Sequence, residues 1–398
     1  MNSPKQTYSF IGSSLSLIVL FVASATPIPL YGLYRAADGL SYQDLSLSSV
    51  VYFIGALISL LFLGRLSNHF GRRLTTILAL LFGILGCAAM LFIHDAGPLL
   101  LGRFFQGLSC GLASSAIASW IVDTSHGIPK WIAPAVVGCG PMTGLTIGGV
   151  GSGLLVDFAP DPRILPFATI IALLALVIFM VCFGKETVNR IPGAFRSLKP
   201  QIALPESARK AFPIAAVTFV CTWALGGFFQ AFGPAMAHEQ LHSDSAVAAA
   251  LVFASVMAPS FIGASIAGRF QPRQVQVFGM LSFTLSLAGL LLSLQIGTLV
   301  GFLVASVLAG TAQGAILTGS IRSMVAELTT EERAGTFSVI YFTSYTGAAV
   351  PTLLAGQFSS SYSLLQVACA YGVLAAVGCV IVILGTRHQA RRQAYSNA

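Results

Sequence analysis

QVQVFGMLSFTLSLAGLLLSLQIGTLVGFLVASVLAGTAQGAILTGSI, residues 274–321, holds no Asp, Glu, Lys or Arg. The hydrocarbon core of a bilayer is about 30 Å thick, and about 20 helical residues at 1.5 Å each cross it. The stretch is therefore about two crossings long. It must hold two helices joined by a tight turn, and Gln295–Thr298 is the candidate turn. Residues 334–386 repeat the pattern, again uncharged, with Ser359–Ser363 as the turn. Only 9% of the 398 residues are charged, against roughly 25% in soluble domains. So few charges cannot cover a soluble surface, so most of the exterior faces lipid.

Working outward, comparable stretches lie at 10–34, 45–64, 74–93, 97–122, 131–156, 164–184, 211–237 and 245–268. Together with 274–295, 297–320, 334–358 and 363–385 they predict an all-α membrane protein of twelve transmembrane helices. Lys5, the apolar run 10–22 and Ala23-Ser24-Ala25 have the outline of a cleavable signal peptide. The apolar stretch continues through Pro27 and Pro29 to Tyr34, so it is read as a retained span. The seven cysteines all fall in apolar stretches without CxxC spacing. They read as small buried hydrophobes, with no disulfide framework, metal or cofactor implied.

The net charge of +8 reports orientation here rather than nucleic-acid binding. With the N-terminus in the cytoplasm, 18 of the 21 Lys and Arg residues fall in cytoplasmic segments. Arg35 and Arg163 lie on the opposite side, and Arg103 lies within a span. Such a split fits the positive-inside rule for an even number of spans. It predicts a multi-pass protein of a bacterial-type inner membrane with both termini cytoplasmic.

The longest polar segment, 185–210, divides the chain into an N-terminal bundle (1–184), a cytoplasmic linker and a C-terminal bundle (211–398). The halves echo each other. Gly64-Arg65-Leu66-Ser67-Asn68-His69-Phe70 after span two faces Ala264-Ser265-Ile266-Ala267-Gly268-Arg269-Phe270 after span eight. Gly107 and Gly111 of span four face Gly310 and Gly314 of span ten, both at an offset of 203. Two pseudo-symmetric six-helix halves are how many secondary transporters are built, with substrate bound at the repeat interface.

The loop Gly64-Arg65-Leu66-Ser67-Asn68-His69-Phe70-Gly71-Arg72-Arg73 resembles the signature GxLaDrxGRrk of the major facilitator superfamily. The resemblance extends over the whole chain through the span count, the central basic loop and the placing of this motif. It is most like the branch of bacterial drug–proton antiporters and small-solute exporters. In that family the loop's Asp, its Arg and an acid ending span four form a conformational latch. The matching positions are Asn68, Arg72 and Asp123, framed by Gly64 and Gly71. Asn68 removes one charge, so pairing with Arg72 falls to Asp123.

Arg103-Phe104-Phe105-Gln106-Gly107 resembles the family's span-four motif RxxqG, in which the Arg is linked to substrate or proton handling. A central Arg costs about 2.5–3.5 kcal/mol to insert on translocon scales, so Arg103 should face the interior. The structural alternative is snorkelling to the nearby membrane edge. Gly140-Pro141-Met142-Thr143-Gly144 in span five resembles the antiporter motif GxxxGPxxGG, with Val136 and Leu145 in place of its first and last glycines. Small residues there permit close helix contact, and Pro141 removes a backbone hydrogen bond. Ordinary glycine packing is as good a reading.

Pro27 and Pro29 in span one should distort the helix and free carbonyls toward a cavity. Substrate-contact candidates are Arg103, Gln106, Tyr31, Met142, Trp223, Phe229, Gln230, Gln313, Tyr341 and Tyr345, with Phe228 and Phe342 beside them. Aromatic rings with sparse polar groups suit an amphipathic organic substrate. No Lys precedes a Ser or Thr, so there is no phosphate-binding loop for ATP. No acid sits in the middle of a span, so proton coupling is implied by the resemblance without an assigned carrier.

The expected function is efflux of a small organic molecule by a monomeric, ion-coupled secondary transporter that needs the lipid bilayer and protons or another coupling ion. A proton symporter for uptake is the alternative. His238-Glu239-Gln240-Leu241-His242 also matches HExxH, a zinc-protease pattern. That gives a remote enzymatic alternative at the outer end of span seven.

Overall fold

A computed structural model describes residues 4–129, 132–188, 193–200 and 202–396. Lys130, Arg190 and Trp131, where the fifth span was expected to begin, lie outside them. No strand occurs among the described residues. Among the described residues eleven helices are long and apolar enough to cross a membrane: α1 (Lys5–Asp38), α2 (Tyr42–Leu63), α3 (Arg72–Met90), α4 (Ala96–Asp123), α5 (Ile132–Phe158), α6 (Leu165–Cys182), α7 (Glu206–Gln240), α8 (Ala246–Ala267), α9 (Pro272–Ile296), α10 (Leu299–Val325) and α12 (Leu364–Gln389). Between the last two lies α11 (Thr330–Phe358), 29 residues long. It is more polar because Thr343, Ser344, Tyr345 and Thr346 interrupt its apolar run.

The helix ends are written in the sequence. Ser41 and Asp44 form a reciprocal capping box that starts α2, and Thr329 and Glu332 do the same for α11. Asp95 accepts from Gly97 N at 2.7 Å at the start of α4. Between α9 and α10 the chain reverses at Gly297, whose φ of 76° is left-handed, and Thr298 caps α10. Glycine takes that conformation without steric cost. The turn falls where the uncharged 274–321 stretch requires one.

The chain divides into two compact units, Met1–Pro200 with Ser245–Ala254, and Gln201–Asp244 with Ser255–Ala398. Within the first, α2 packs on α4 and α1 on α5. Within the second, α9 packs on α10 and α7 on α11. The internal echo has a physical meaning. Gly107 and Gly111 let α4 approach the backbone of Tyr52 and Ala56 on α2, and Gly310 and Gly314 let α10 approach Val256 and Ser260 on α8. Without an apolar driving force between helices in lipid, such backbone approach supplies much of the contact energy.

The glycines of α5 sort by neighbour. Gly140, Gly144 and Gly148 lie against α1, whereas Gly153 lies against Ala246 and Ala250 of α8. Asp157 then caps α8, accepting from Ala246 N (2.9 Å), Val247 N (3.1 Å) and Ser245 Oγ (2.6 Å). The helix continues through Pro141.

The cysteines correct one expectation. Cys87, Cys110, Cys221 and Cys379 are buried and Cys139 is half-buried, but Cys182 and Cys369 are exposed on spanning helices. A thiol is apolar enough to face lipid, so apolar surroundings did not require burial.

Candidate functional site

The break in α1 builds the site of the first unit. The helix runs regularly to Ala25, then takes a 3₁₀ turn over Ile28–Leu30. Proline has no N–H, so Pro27 cannot bond Ala23 O four residues back. Leu30 N turns instead to Pro27 O at 3.1 Å. Three carbonyls just before this turn accept from side chains. Ala23 O accepts from Gln106 Nε2 (2.9 Å), Ser24 O from Arg103 Nη1 (2.7 Å) and Thr26 O from Ser152 Oγ (2.7 Å). The prolines distort α1 as expected, but these carbonyls are taken up by α4 and α5 rather than left facing a cavity.

Arg103 is fully buried, and its guanidinium stands 4.3 Å from the centroid of the Tyr52 ring. Nη1 also donates to Gln106 Oε1 at 2.9 Å. Nε and Nη2 have no hydrogen-bond partner, and Ser24 Oγ and Ser109 Oγ are likewise unpaired. Among the described residues Arg103 is the one charged residue buried as a whole; the Asp38 side chain is also buried, but it pairs with Arg163. Arg103 does not snorkel. Its charge is met by backbone dipoles and a π face, without a carboxylate, so an anionic or strongly polar group would complete its hydrogen bonding. Tyr31 is buried nearby in sequence at the α1 break, with its hydroxyl 3.3 Å from Ser48 Oγ. Met142 is half-buried on α5 and is not brought to Arg103 by any hydrogen bond or ring contact.

In the second unit the rings form a row. Trp223 meets Tyr345 edge-on at 4.9 Å, and Tyr341 stacks on Tyr345 at 6.4 Å. Phe229 is fully buried against Phe302 at 5.8 Å, and Phe228 packs on Tyr371 at 4.6 Å. These two phenylalanines are core. Phe342 is 47% exposed. Gln230 and Gln313 are buried, and Gln313 Oε1 has no partner.

The loop after α2 forms a polar cluster. Arg72 Nε lies 3.0 Å from Asp123 Oδ2, and Arg72 Nη1 donates to Ser67 Oγ at 2.5 Å. Asn68 makes no side-chain hydrogen bond among the described residues. The acid at the N-terminus of α3 comes from elsewhere. Glu186, just past α6, accepts from Arg72 N (2.8 Å) and Arg73 N (3.1 Å), and Thr187 Oγ1 donates to Asp123 Oδ2 (3.2 Å). Gly71, at φ 97°, leaves room for the carboxylate. Sequence reading missed Glu186 and Thr187. The available signal was an acid immediately after a span whose end lies on the same membrane side as this loop.

A carboxylate that binds two N–H groups at a helix N-terminus gains from both the hydrogen bonds and the helix dipole. Glu186→Ala is expected to destabilise the protein by about 1–2 kcal/mol, with Glu186→Gln intermediate. Thermal unfolding in detergent measures this, and an unchanged midpoint for Glu186→Ala would remove the cap from the account.

The two arginines on the sparsely charged side are both engaged. Arg163 pairs with Asp38 and donates to Ile93 O at 2.8 Å, and the Asp38 hydrogen bond holds its pKa above the ordinary value. Arg35 lies over the Tyr42 ring, 3.6 Å from its centroid. Arg65 donates to Ser197 O at 2.8 Å and to Lys199 O, tying the segment after α6 to the same loop.

The HExxH residues do not lie on one regular helix. His238 and Glu239 sit in a π-helical turn, Met236–Gln240, and His242 lies beyond it with φ 53°. The histidines therefore do not share a regular helix face. No group of three His, Cys, Asp or Glu among the described residues could hold a metal. His238 Nε2 instead contacts exposed Asp244 at 3.0 Å.

Comparison with solved structures places the fold. A bacterial homolog of the human lysosomal transporter Spinster superposes with a TM-score of 0.75 at 16% identity, covering 97% of this chain and 98% of that one. The xylose transporter XylE of E. coli gives 0.71 at 12%, covering 95% and 97%. Among curated proteins, Sugar transporter ERD6-like 1 of Arabidopsis thaliana is 36% identical over 85 residues, 21% of this chain and 18% of that protein. Multidrug resistance protein MdtL of Klebsiella pneumoniae is 30% identical over 104 residues, 26% of each chain. Quinolone resistance protein NorA of Staphylococcus aureus is 23% identical over 219 residues, 54% of each. The chain thus matches about half or less of the length of these relatives. The Major Facilitator Superfamily profile matches residues 13–352. With twelve long helices among the described residues, a repeated glycine seam in each unit and the Arg72–Asp123 pair at the signature loop, the chain belongs to the Major Facilitator Superfamily and is a multi-pass membrane protein.

Proposed function

We propose that the protein exports a small amphipathic organic solute across a bacterial-type inner membrane by alternating access, in exchange for protons, with both termini in the cytoplasm. The observation that carries this reading is Arg103. It is a fully buried cation with two unpaired donor atoms and no carboxylate partner among the described residues. A site of this kind binds a polar or ionised group strongly, because the group replaces a costly unpaired charge. Arg103 and Gln106 are assigned as the polar anchor. In the second unit the Trp223, Tyr345 and Tyr341 rings offer the apolar, π-rich surface that such solutes favour. The Arg72–Asp123 pair and Glu186 are assigned to the conformational latch, and 185–210 to the linker. Similarity to MdtL and NorA supports export, since both names denote drug resistance.

Inverted membrane vesicles test the direction. Quinolones, which carry a carboxylate that Arg103 can bind, serve as probes. Accumulation that requires an inside-acid gradient and collapses with a protonophore is the expected result. Accumulation in right-side-out vesicles driven by an outside-acid gradient would replace export by symport. That second reading draws on the 36% identity to a sugar transporter over 85 residues.

A further inference from the structure

The second unit carries a groove of about 690 Å³ where α8, α9 and α10 diverge. Its walls are apolar. Ile266 of α8, Phe270 in the connection that follows it, Phe278 and Leu285 of α9, and Leu308 of α10 line it, and all five are exposed large hydrophobics. Gly263 lets the backbone of α8 meet that of α10 at Thr311, which forms the floor. Along α9 the lining runs from Gln274 to Ser286. The twelve rises between them, at about 1.5 Å each, span about 18 Å, close to one leaflet of a core about 30 Å thick.

One end of this groove is charged. Arg269 and Arg273 are exposed, on either side of the Gln271-Pro272 turn. Their sequence neighbours Phe270 and Gln274 line the groove. Neither arginine has a carboxylate within ion-pair distance among the described residues. Arg322 Nη1 donates to Ala267 O (2.7 Å) and Phe270 O (3.1 Å), fixing this end of the groove to α10 and adding a third positive charge.

We propose that the groove is a site for one phospholipid with a net negative headgroup. An acyl chain lies along α9 between α8 and α10, and the phosphate sits on Arg269 and Arg273. The length matches one leaflet. The walls match a hydrocarbon chain. The charge sits at the end where a headgroup must lie. An arginine fork fits phosphate oxygens in a bidentate manner, and with no described carboxylate within ion-pair distance of either arginine a headgroup of net negative charge is favoured over a zwitterion. The site lies wholly within the second unit and does not depend on the transport reading.

Native mass spectrometry of the full-length protein, titrated with phosphatidylglycerol or phosphatidylcholine of identical chains, tests it. One phosphatidylglycerol is expected to bind at least about tenfold more tightly than phosphatidylcholine. The double variant Arg269→Gln, Arg273→Gln is expected to lower phosphatidylglycerol affinity about thirtyfold, toward that of phosphatidylcholine. Arg269→Lys with Arg273→Lys should restore most of the preference. Ser282→Trp, which fills the groove from an exposed lining position, should weaken both lipids. Equal affinity for the two lipids overturns the proposal. So does a Gln pair that binds like wild type, or a Ser282→Trp variant that keeps both lipids. A groove occluded by a second copy of the chain overturns it too. The arginines are surface residues, so their variants remain informative if Ser282→Trp does not fold.

Discussion

Arg103→Ala is expected to lower the transport rate by about a hundredfold or more while the protein still folds. Losing a charged contact to a bound polar group typically costs about 2–5 kcal/mol, and each 1.4 kcal/mol is tenfold. The folded state is affected less. Truncation removes two hydrogen bonds, to Ser24 O and Gln106 Oε1, and the stacking on Tyr52. It also removes a desolvated charge that no carboxylate offsets, and the two changes oppose each other. Arg103→Lys keeps the charge but offers a compact ammonium in place of a planar fork, so transport should recover in part. Rates in proteoliposomes, read beside thermal stability in detergent, separate the two effects. Wild-type rates in Arg103→Ala would remove this residue from the mechanism. Gln106→Leu makes a useful contrast. It leaves Ala23 O unpaired in the α1 break, and its main expected effect is a stability loss of about 1–3 kcal/mol.

Gly107→Val is expected to have the largest effect on stability, about 3 kcal/mol or more, with a severalfold loss of monodisperse protein in detergent. A Cβ at this position would stand 3.0 Å from Ala56 N and closer still to Tyr52 O. Those are backbone atoms of α2, so no rotamer change relieves the contact and the helices must separate. Overpacking a core costs about 1–3 kcal/mol, and a β-branched side chain that meets backbone lies at the upper end. Gly314→Val should behave alike, since it meets the backbone of Ser260 on α8. Gly138→Ala and Gly151→Ala are the controls. A Cβ at either meets nothing within 4 Å, and replacing a mid-helix glycine by alanine is worth up to about 1 kcal/mol in favour of the helix. Size-exclusion profiles and unfolding midpoints decide. Equal effects at 107 and 138 would show that backbone approach is not what these glycines provide.

This contrast also marks where sequence reading stops. The chain carries 40 glycines, and the α5 run looked uniform as text. In the structure Gly148 lies against the backbone of Val22 on α1, whereas Gly138 and Gly151 border open space. Helical periodicity gives a face, but the neighbour opposite that face belongs to a distant part of the chain. The same limit hid Glu186. For an acid just after α6 the sequence gives the membrane side it shares with this loop, but nothing that selects the N-terminus of α3, more than a hundred residues earlier, as its partner. Arg72 and Asp123 were found because the resemblance supplied the pairing, not because their spacing did.

By itself the sequence determined that helices cross a bilayer, how many there are, where most of them end, and that the chain is built twice over. Those properties follow from terms that act locally. Uncharged runs of fixed length partition into hydrocarbon, prolines and glycines break helices where they stand, and the repeat is visible as matching residues. The tertiary structure alone decided how Arg103 is held. It set the α1 break beside α4, so that backbone carbonyls rather than a carboxylate meet the guanidinium. It also separated the fully buried Phe228 and Phe229 from the Trp223–Tyr345–Tyr341 row, in which Trp223 and Tyr341 are half-buried. Contacts of that kind join residues far apart in the chain, and their energies depend on distances of a few tenths of an ångström that no linear pattern encodes.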